Sequence, residues 1–131
     1  HYRFLDEESF IAEAEAGRFL ETTVYSGHHF GTESAEIDRI VAGGKIAVIP
    51  IDICGALTLK NRYRQRALLV FLRRKRYHVI RDIVTRELSP DDMTCRILSL
   101  DDEYRNEELC DVSVDADCAP DAVAQAIFEV L

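Results

Sequence analysis

The sequence predicts an α/β fold in which a largely parallel sheet is flanked by helices, and three observations carry that prediction. Lys45–Ile53 and Arg66–Leu72 are near-continuous apolar runs, the pattern of strands buried on both faces. Stretches with helical spacing alternate with these runs, as at Ile37, Ile40 and Val41. Each apolar run ends in charged residues, Asp52 after the first and Arg73–Arg76 after the second, at the strand ends where open sheets hold ligands. At 131 residues, 47% of them hydrophobic and 31% charged, the chain has the size and composition of one globular domain.

Taken in order, Tyr2–Leu5 reads as an opening strand. Asp6 caps a helix with an acidic first turn (Glu7, Glu8) and an inner side of Phe10, Ile11 and Ala14, and Gly17 ends it. Phe19–Tyr25 is a strand by its Thr, Val and aromatic content. A glycine-bracketed turn follows, and Thr32 or Ser34 caps the helix that closes at Gly43-Gly44. In the Lys45–Ile53 strand, Pro50 must sit where pairing stops, because it has no ladder donor. Gly55 leads into a short helix from Ala56 to about Arg62, and Arg66–Leu72 is the next strand. The helix from Tyr77 to about Arg86 turns Val79, Ile80, Ile83 and Val84 inward. Ser89-Pro90-Asp91-Asp92 is a helix start with serine as cap and proline in the first turn, and its helix is expected to run to about Glu108. A brief strand at Asp111–Val114 precedes a final helix from Pro120 to Leu131.

Net charge is −8, unevenly spread: residues 60–86 hold ten of the sixteen basic side chains against one acid, Asp82. A positive segment on an acidic body fits a local anionic ligand better than general nucleic-acid coating, although a solvated face is the commoner meaning of a charge run. Cys54, Cys95, Cys110 and Cys118 fall in different elements without C-x-x-C spacing, which suits free thiols in a reducing cytoplasm and offers no metal site. The adjacent His28 and His29 read as a polar turn. No apolar run has the length of a membrane span. The first residue is His1, and residues are expected to be missing upstream.

Between Phe19 and Thr32 the chain places a carboxylate (Glu21), aromatics and a hydroxyl, and twenty residues on it adds Asp52. Ionised carboxylates accept hydrogen bonds and cannot donate them, so a pair of them matches a base edge rich in N–H groups. Taken singly, Glu21 reads as an exposed strand residue and Asp52 as a helix cap.

The run Phe19-Leu20-Glu21, Tyr25-Ser26-Gly27, Phe30-Gly31-Thr32, then Gly44-Lys45, Ile51-Asp52 and Gly55 resembles the guanylate kinase family, with order and spacing holding across the chain. The resemblance implies a nucleoside monophosphate kinase fold of P-loop type, N-terminally incomplete, with a small GMP-binding subregion. It implies transfer of phosphate from ATP to GMP with Mg²⁺. Carried over by position, Tyr2 and Thr32 hold the GMP phosphate and Glu21 and Asp52 read guanine. Arg86 and Arg96 match the lid arginines that neutralise the transferred phosphate, and Asp115 takes the place of an asparagine that contacts adenine. Within one domain, residues 1–44 then form the GMP-binding subregion and 45–76 the core strands, while 77–108 form the lid and its following helix and 109–131 the C-terminal strand and helix.

The chain also departs from the family pattern. No stretch reads G-x-x-x-x-G-K-[ST], and the arginines expected before the tyrosine strand are absent. Both are expected in the upstream part, with the central strand. Phe30 replaces a phosphate-binding tyrosine, Pro50 an acidic residue near the metal, and Arg73-Arg74 a Pro-Pro-Ser-like turn. The expected function is therefore a guanylate-kinase-like domain whose parent is an enzyme but which is inactive as this chain. The alternative is a non-catalytic module that holds phosphorylated peptides in the former GMP site. RNA binding through Arg73–Arg76 is disfavoured by the acidic remainder and the lack of interleaved aromatics. An unpaired interior strand edge invites self-association.

Overall fold

The computed structural model describes residues 3–25 and 28–131, a mixed α/β chain that divides into two compact units, His1–Arg64 and Gln65–Leu131. Tyr2, Ser26 and Gly27 lie outside the described residues, and the opening strand is not seen in the part of it that is described, Arg3–Leu5.

The first unit begins with α1 (Glu7–Glu15). Asp6 caps it by accepting the Ser9 N–H at 2.8 Å, and Gly17, at φ +68°, lets the chain leave it in the left-handed region. Phe10 is its inward residue, stacked on Phe19 with ring centroids 4.8 Å apart, whereas Ile11, expected inside, is exposed. Arg3 ties the start of the chain to Glu13 and Glu33. Strands β1 (Phe19–Tyr25) and β2 (His28–Glu33) pair antiparallel, with Glu21 opposite Thr32 and Thr22 opposite Gly31. The register slips between Phe19 and Glu21, so Leu20 has no partner in the ladder. Gly31 is needed for space: a Cβ there would stand 2.9 Å from the Phe19 ring.

Helix α2 (Ser34–Ala42) follows directly, with Ile37 buried. Neither Thr32 nor Ser34 caps it: Glu33 occupies the cap position without a side-chain bond, Thr32 belongs to β2, and the Ser34 hydroxyl donates to the Arg18 carbonyl. The Lys45–Ile53 run is not a strand. A strand needs a ladder partner, and among the described residues none pairs with it. Nor is it buried on both faces: Ile46, Val48 and Pro50 are exposed while Ala47, Ile49 and Ile51 are half-buried, a period of two with one covered side. Helix α3 (Ile53–Tyr63) starts three residues earlier than its sequence suggests, because Asp52 caps it. It ends at Arg64, whose φ of +55° is costly for a residue with a Cβ.

A short 3₁₀ turn (Arg64–Arg66) begins at the last residue of the first unit, and in the second unit β3 (Val70–Arg73) pairs in parallel with β4 (Val112–Asp115). The expected Arg66–Leu72 strand is thus shorter and later. Its burial is confined to Leu69, while Leu68 and Leu72 are 41% and 49% exposed. Helix α4 (Arg76–Val84) buries Ile83. In α5 (Pro90–Leu98) the Ser89 side chain accepts the Asp92 N–H at 3.1 Å, with proline in the first turn as expected. The single long helix expected to follow is instead broken at Ser99 into α5, α6 (Leu100–Arg105) and a 3₁₀ turn (Asn106–Leu109). Helix α7 (Pro120–Glu129) closes the chain. Leu69, Ile83, Leu100 and Val114 form the buried centre of this unit, and Asp111 fastens the start of β4 by accepting the Leu69 N–H at 2.8 Å. No described helix is long and apolar enough to cross a membrane.

Candidate functional site

In the first unit the hairpin and the start of α3 bring two carboxylates to one glycine. Glu21 is half-buried on β1, and its Oε1 accepts the hydroxyl proton of the facing Thr32 at 2.5 Å. The pairing follows from register, since the two residues are opposite each other across the ladder. Asp52 caps α3 with its Oδ1 accepting the Gly55 N–H at 2.8 Å. Gly55 itself is buried, and a Cβ on it would lie 3.1 Å from the Glu21 carboxyl carbon. Asp52 therefore bonds the Gly55 amide, and the Glu21 carboxyl lies beside the space that a Gly55 side chain would enter. Each keeps a second oxygen, Oε2 of Glu21 and Oδ2 of Asp52, with no protein donor among the described residues. Each of these oxygens keeps acceptor capacity that no described group uses.

Thr32 is thus engaged with Glu21 in this structure, and Tyr2 lies outside the described residues. Phe30 is on β2, 37% exposed.

The second unit holds the cationic cluster. An open basin of about 510 Å³ lies at the carboxyl ends of β3 and β4, lined by Arg73, Arg74, Lys75 and Arg76 on one side and Asp101, Tyr104, Asp115 and Asp117 on the other. Its charges are largely matched within the fold. Arg73 bonds Glu107 at 2.7 Å, Arg74 bonds Asp82 at 2.8 Å, and Arg76 pairs with Asp101. Asp117, 6% exposed at its side chain, accepts the Lys75 N–H and lies 2.8 Å from His78 Nδ1. The His78 bond, followed by the Lys75 amide, holds the Asp117 carboxyl below the usual carboxylate range, and Arg74 and then Arg81 do the same for Asp82. The positive balance of residues 60–86 is therefore offset by acids that are remote in sequence, such as Asp101, Glu107 and Asp117. Sequence reasoning missed this network, since spacings of 25 to 39 residues between partners leave no local signal.

Asp115 stands at the end of β4, with one oxygen accepting the Asp117 N–H at 2.8 Å. Arg86 is exposed just past α4, and Arg96 is half-buried in α5. Among the described residues no group of three or more His, Cys, Asp or Glu side chains is placed to hold a metal ion.

A model of the guanylate kinase family matches residues 1–128. The chain belongs to the guanylate kinase family. It is similar to the guanylate kinase of Thermus thermophilus, with 32% identity over 124 residues, covering 94% of this chain and 56% of that protein. It is 33% identical over 82 residues to the guanylate kinase of Helicobacter pylori, covering 63% of this chain and 39% of the relative. A third match, to the guanylate kinase of Chlamydia felis, is 39% identical over 61 residues, 47% of this chain and 30% of the relative. The chain thus spans about half or less of the length of these relatives.

Proposed function

We propose that this chain carries the GMP-reading part of a guanylate kinase, and that its parent transfers phosphate from ATP to GMP. The observation that supports this reading most is the pair of carboxylates at Gly55, each with an oxygen left to accept from a ligand. Guanine offers N–H donors at N1 and N2, whereas adenine presents an acceptor at N1, so two acceptor-only groups favour guanine. In this reading Glu21 and Asp52 take the base. Tyr2 and Thr32 bear on the phosphate, Thr32 by turning its hydroxyl from Glu21 to a phosphate oxygen when GMP arrives. Arg86 and Arg96 neutralise charge on the transferred phosphoryl group, and Asp115 bears on the base of the phosphate donor. The full sheet is of the largely parallel P-loop type, and the setting is the cytoplasm.

ATP and Mg²⁺ belong to the family reaction, with Mg²⁺ drawing off charge from the triphosphate. The described residues offer no metal-holding cluster, and the sequence contains no phosphate loop. No catalytic step is assigned to this chain alone; it binds and orients the acceptor nucleotide, and Arg86, Arg96 and Asp115 bear on the phosphoryl group and its donor in the parent.

Phe30 and Pro50 support a second reading, a non-catalytic module that holds a phosphorylated peptide where GMP would sit. Isothermal titration of the chain with GMP, AMP and a phosphoserine peptide separates the two. The first reading expects GMP to bind most tightly. Equal affinity for GMP and AMP contradicts base reading, and preference for the peptide selects the module.

A further inference from the structure

Gly55 is a glycine without a conformational reason to be one. Its φ is not positive, and it lies inside the first turn of α3, where alanine would be the better helix former. The reason is space: a Cβ would stand 2.6 Å from Cγ1 and Cδ1 of Ile51 and 3.1 Å from the Glu21 carboxyl carbon. Meanwhile its N–H is the donor that holds Asp52. One residue thus meets both acids, one through its amide and the other through its missing side chain. Among the described residues Thr32 bonds the Glu21 carboxylate, and it does so by a hydroxyl free to rotate. Once that hydroxyl turns to a phosphate, the room left by the missing Gly55 side chain is what lets the Glu21 carboxyl keep its place beside α3.

We propose that Gly55 is a specificity-determining position, a positioning residue that sets Glu21 and Asp52 as one acceptor pair for the guanine edge. This rests on the base-reading function proposed above. A methyl at this position stands 3.1 Å from the Glu21 carboxyl carbon and pushes it off by a few tenths of an ångström while leaving the Asp52 cap bond intact, so base preference falls without loss of phosphate affinity.

The test uses Ile51→Ala as background, because it removes the 2.6 Å overlaps and leaves the Glu21 contact. GMP, AMP and inorganic phosphate are titrated into the wild-type chain, the Ile51→Ala variant and the Ile51→Ala/Gly55→Ala variant. Ile51→Ala is expected to keep the wild-type preference for GMP over AMP, and the double variant to lose on the order of tenfold of it, with phosphate affinity unchanged. Full preference in the double variant overturns the role of Gly55. A wild-type chain that binds GMP and AMP alike overturns the base-reading function instead, so the two failures are distinct. Should the double variant not fold, the amide resonance of Gly55 in the wild-type chain decides. GMP is expected to shift it and AMP to leave it in place, whereas GMP binding without that shift overturns the proposal.

Discussion

The carboxylate pair of the first unit and the basin of the second are both made of charged side chains, but they use charge in opposite ways. Around Gly55, Glu21 and Asp52 are each fixed by a neutral donor, a hydroxyl and an amide, and each keeps an open oxygen. In the basin, Arg73, Arg74 and Arg76 meet Glu107, Asp82 and Asp101, and Asp117 is surrounded by donors. The first arrangement holds a charge in position without cancelling it. The second cancels charge to fasten α4, the strand ends and the 3₁₀ turn together. A dense cluster of like charges in a sequence is thus no measure of open charge in the fold, because acids elsewhere in the chain can match it.

The comparison breaks most readily at Glu21. Replacing it by glutamine keeps the shape and gives the side chain a donor where the base also donates. GMP affinity is expected to fall about 10- to 100-fold, with AMP affinity changed little, as read by calorimetry. Arg73→Ala, by contrast, should leave the ratio of the two affinities unchanged.

Asp52 separates stability from reading. Asparagine is as good a cap as aspartate, so Asp52→Asn is expected to keep the melting temperature and lose guanine preference. Asp52→Ala should lose the preference and also about 1 kcal/mol of stability. Loss of stability in Asp52→Asn as well would mean that the charge of Asp52 serves the helix.

In the basin the expected effect is on pH dependence. Asp117 and Asp82 have carboxyls held below their ordinary range, so the stability they contribute is present at neutral pH and lost as pH falls through their folded-state values, below about 4. Asp117→Asn should therefore flatten the acid limb of a melting-temperature profile. The smallest effect is at Arg73, which is 60% exposed at its side chain: Arg73→Ala is expected to cost less than about 1 kcal/mol in chemical denaturation.

Much of the chain was legible in the sequence where the signal is local. The Asp6 and Ser89 caps, the Phe19–Tyr25 strand and the final helix all rest on neighbours within a few residues. What failed depends on partners far along the chain. Lys45–Ile53 has the composition of a strand, but a strand exists only with a hydrogen-bonded neighbour, and none is among the described residues. The break at Ser99 interrupts a run of good helix formers, and the two helices meet at a residue that itself keeps a helical backbone. At the candidate site, Glu21 and Asp52 could be picked out because the family pattern pairs them. Taken singly, Asp52 reads as a helix cap, and it is one. The part of Gly55 was not legible, since a glycine in a motif gives no hint of which side chain occupies the space it leaves.

The central claim is that Glu21 and Asp52 act on one purine ring, and a double-mutant cycle on GMP binding tests it most directly. Glu21→Gln, Asp52→Asn and the combined variant are compared with the wild-type chain. Two acids facing one ring predict a coupling of about 0.5 kcal/mol or more between the two substitutions. Strictly additive losses, with AMP affinity falling in step with GMP affinity, would contradict it.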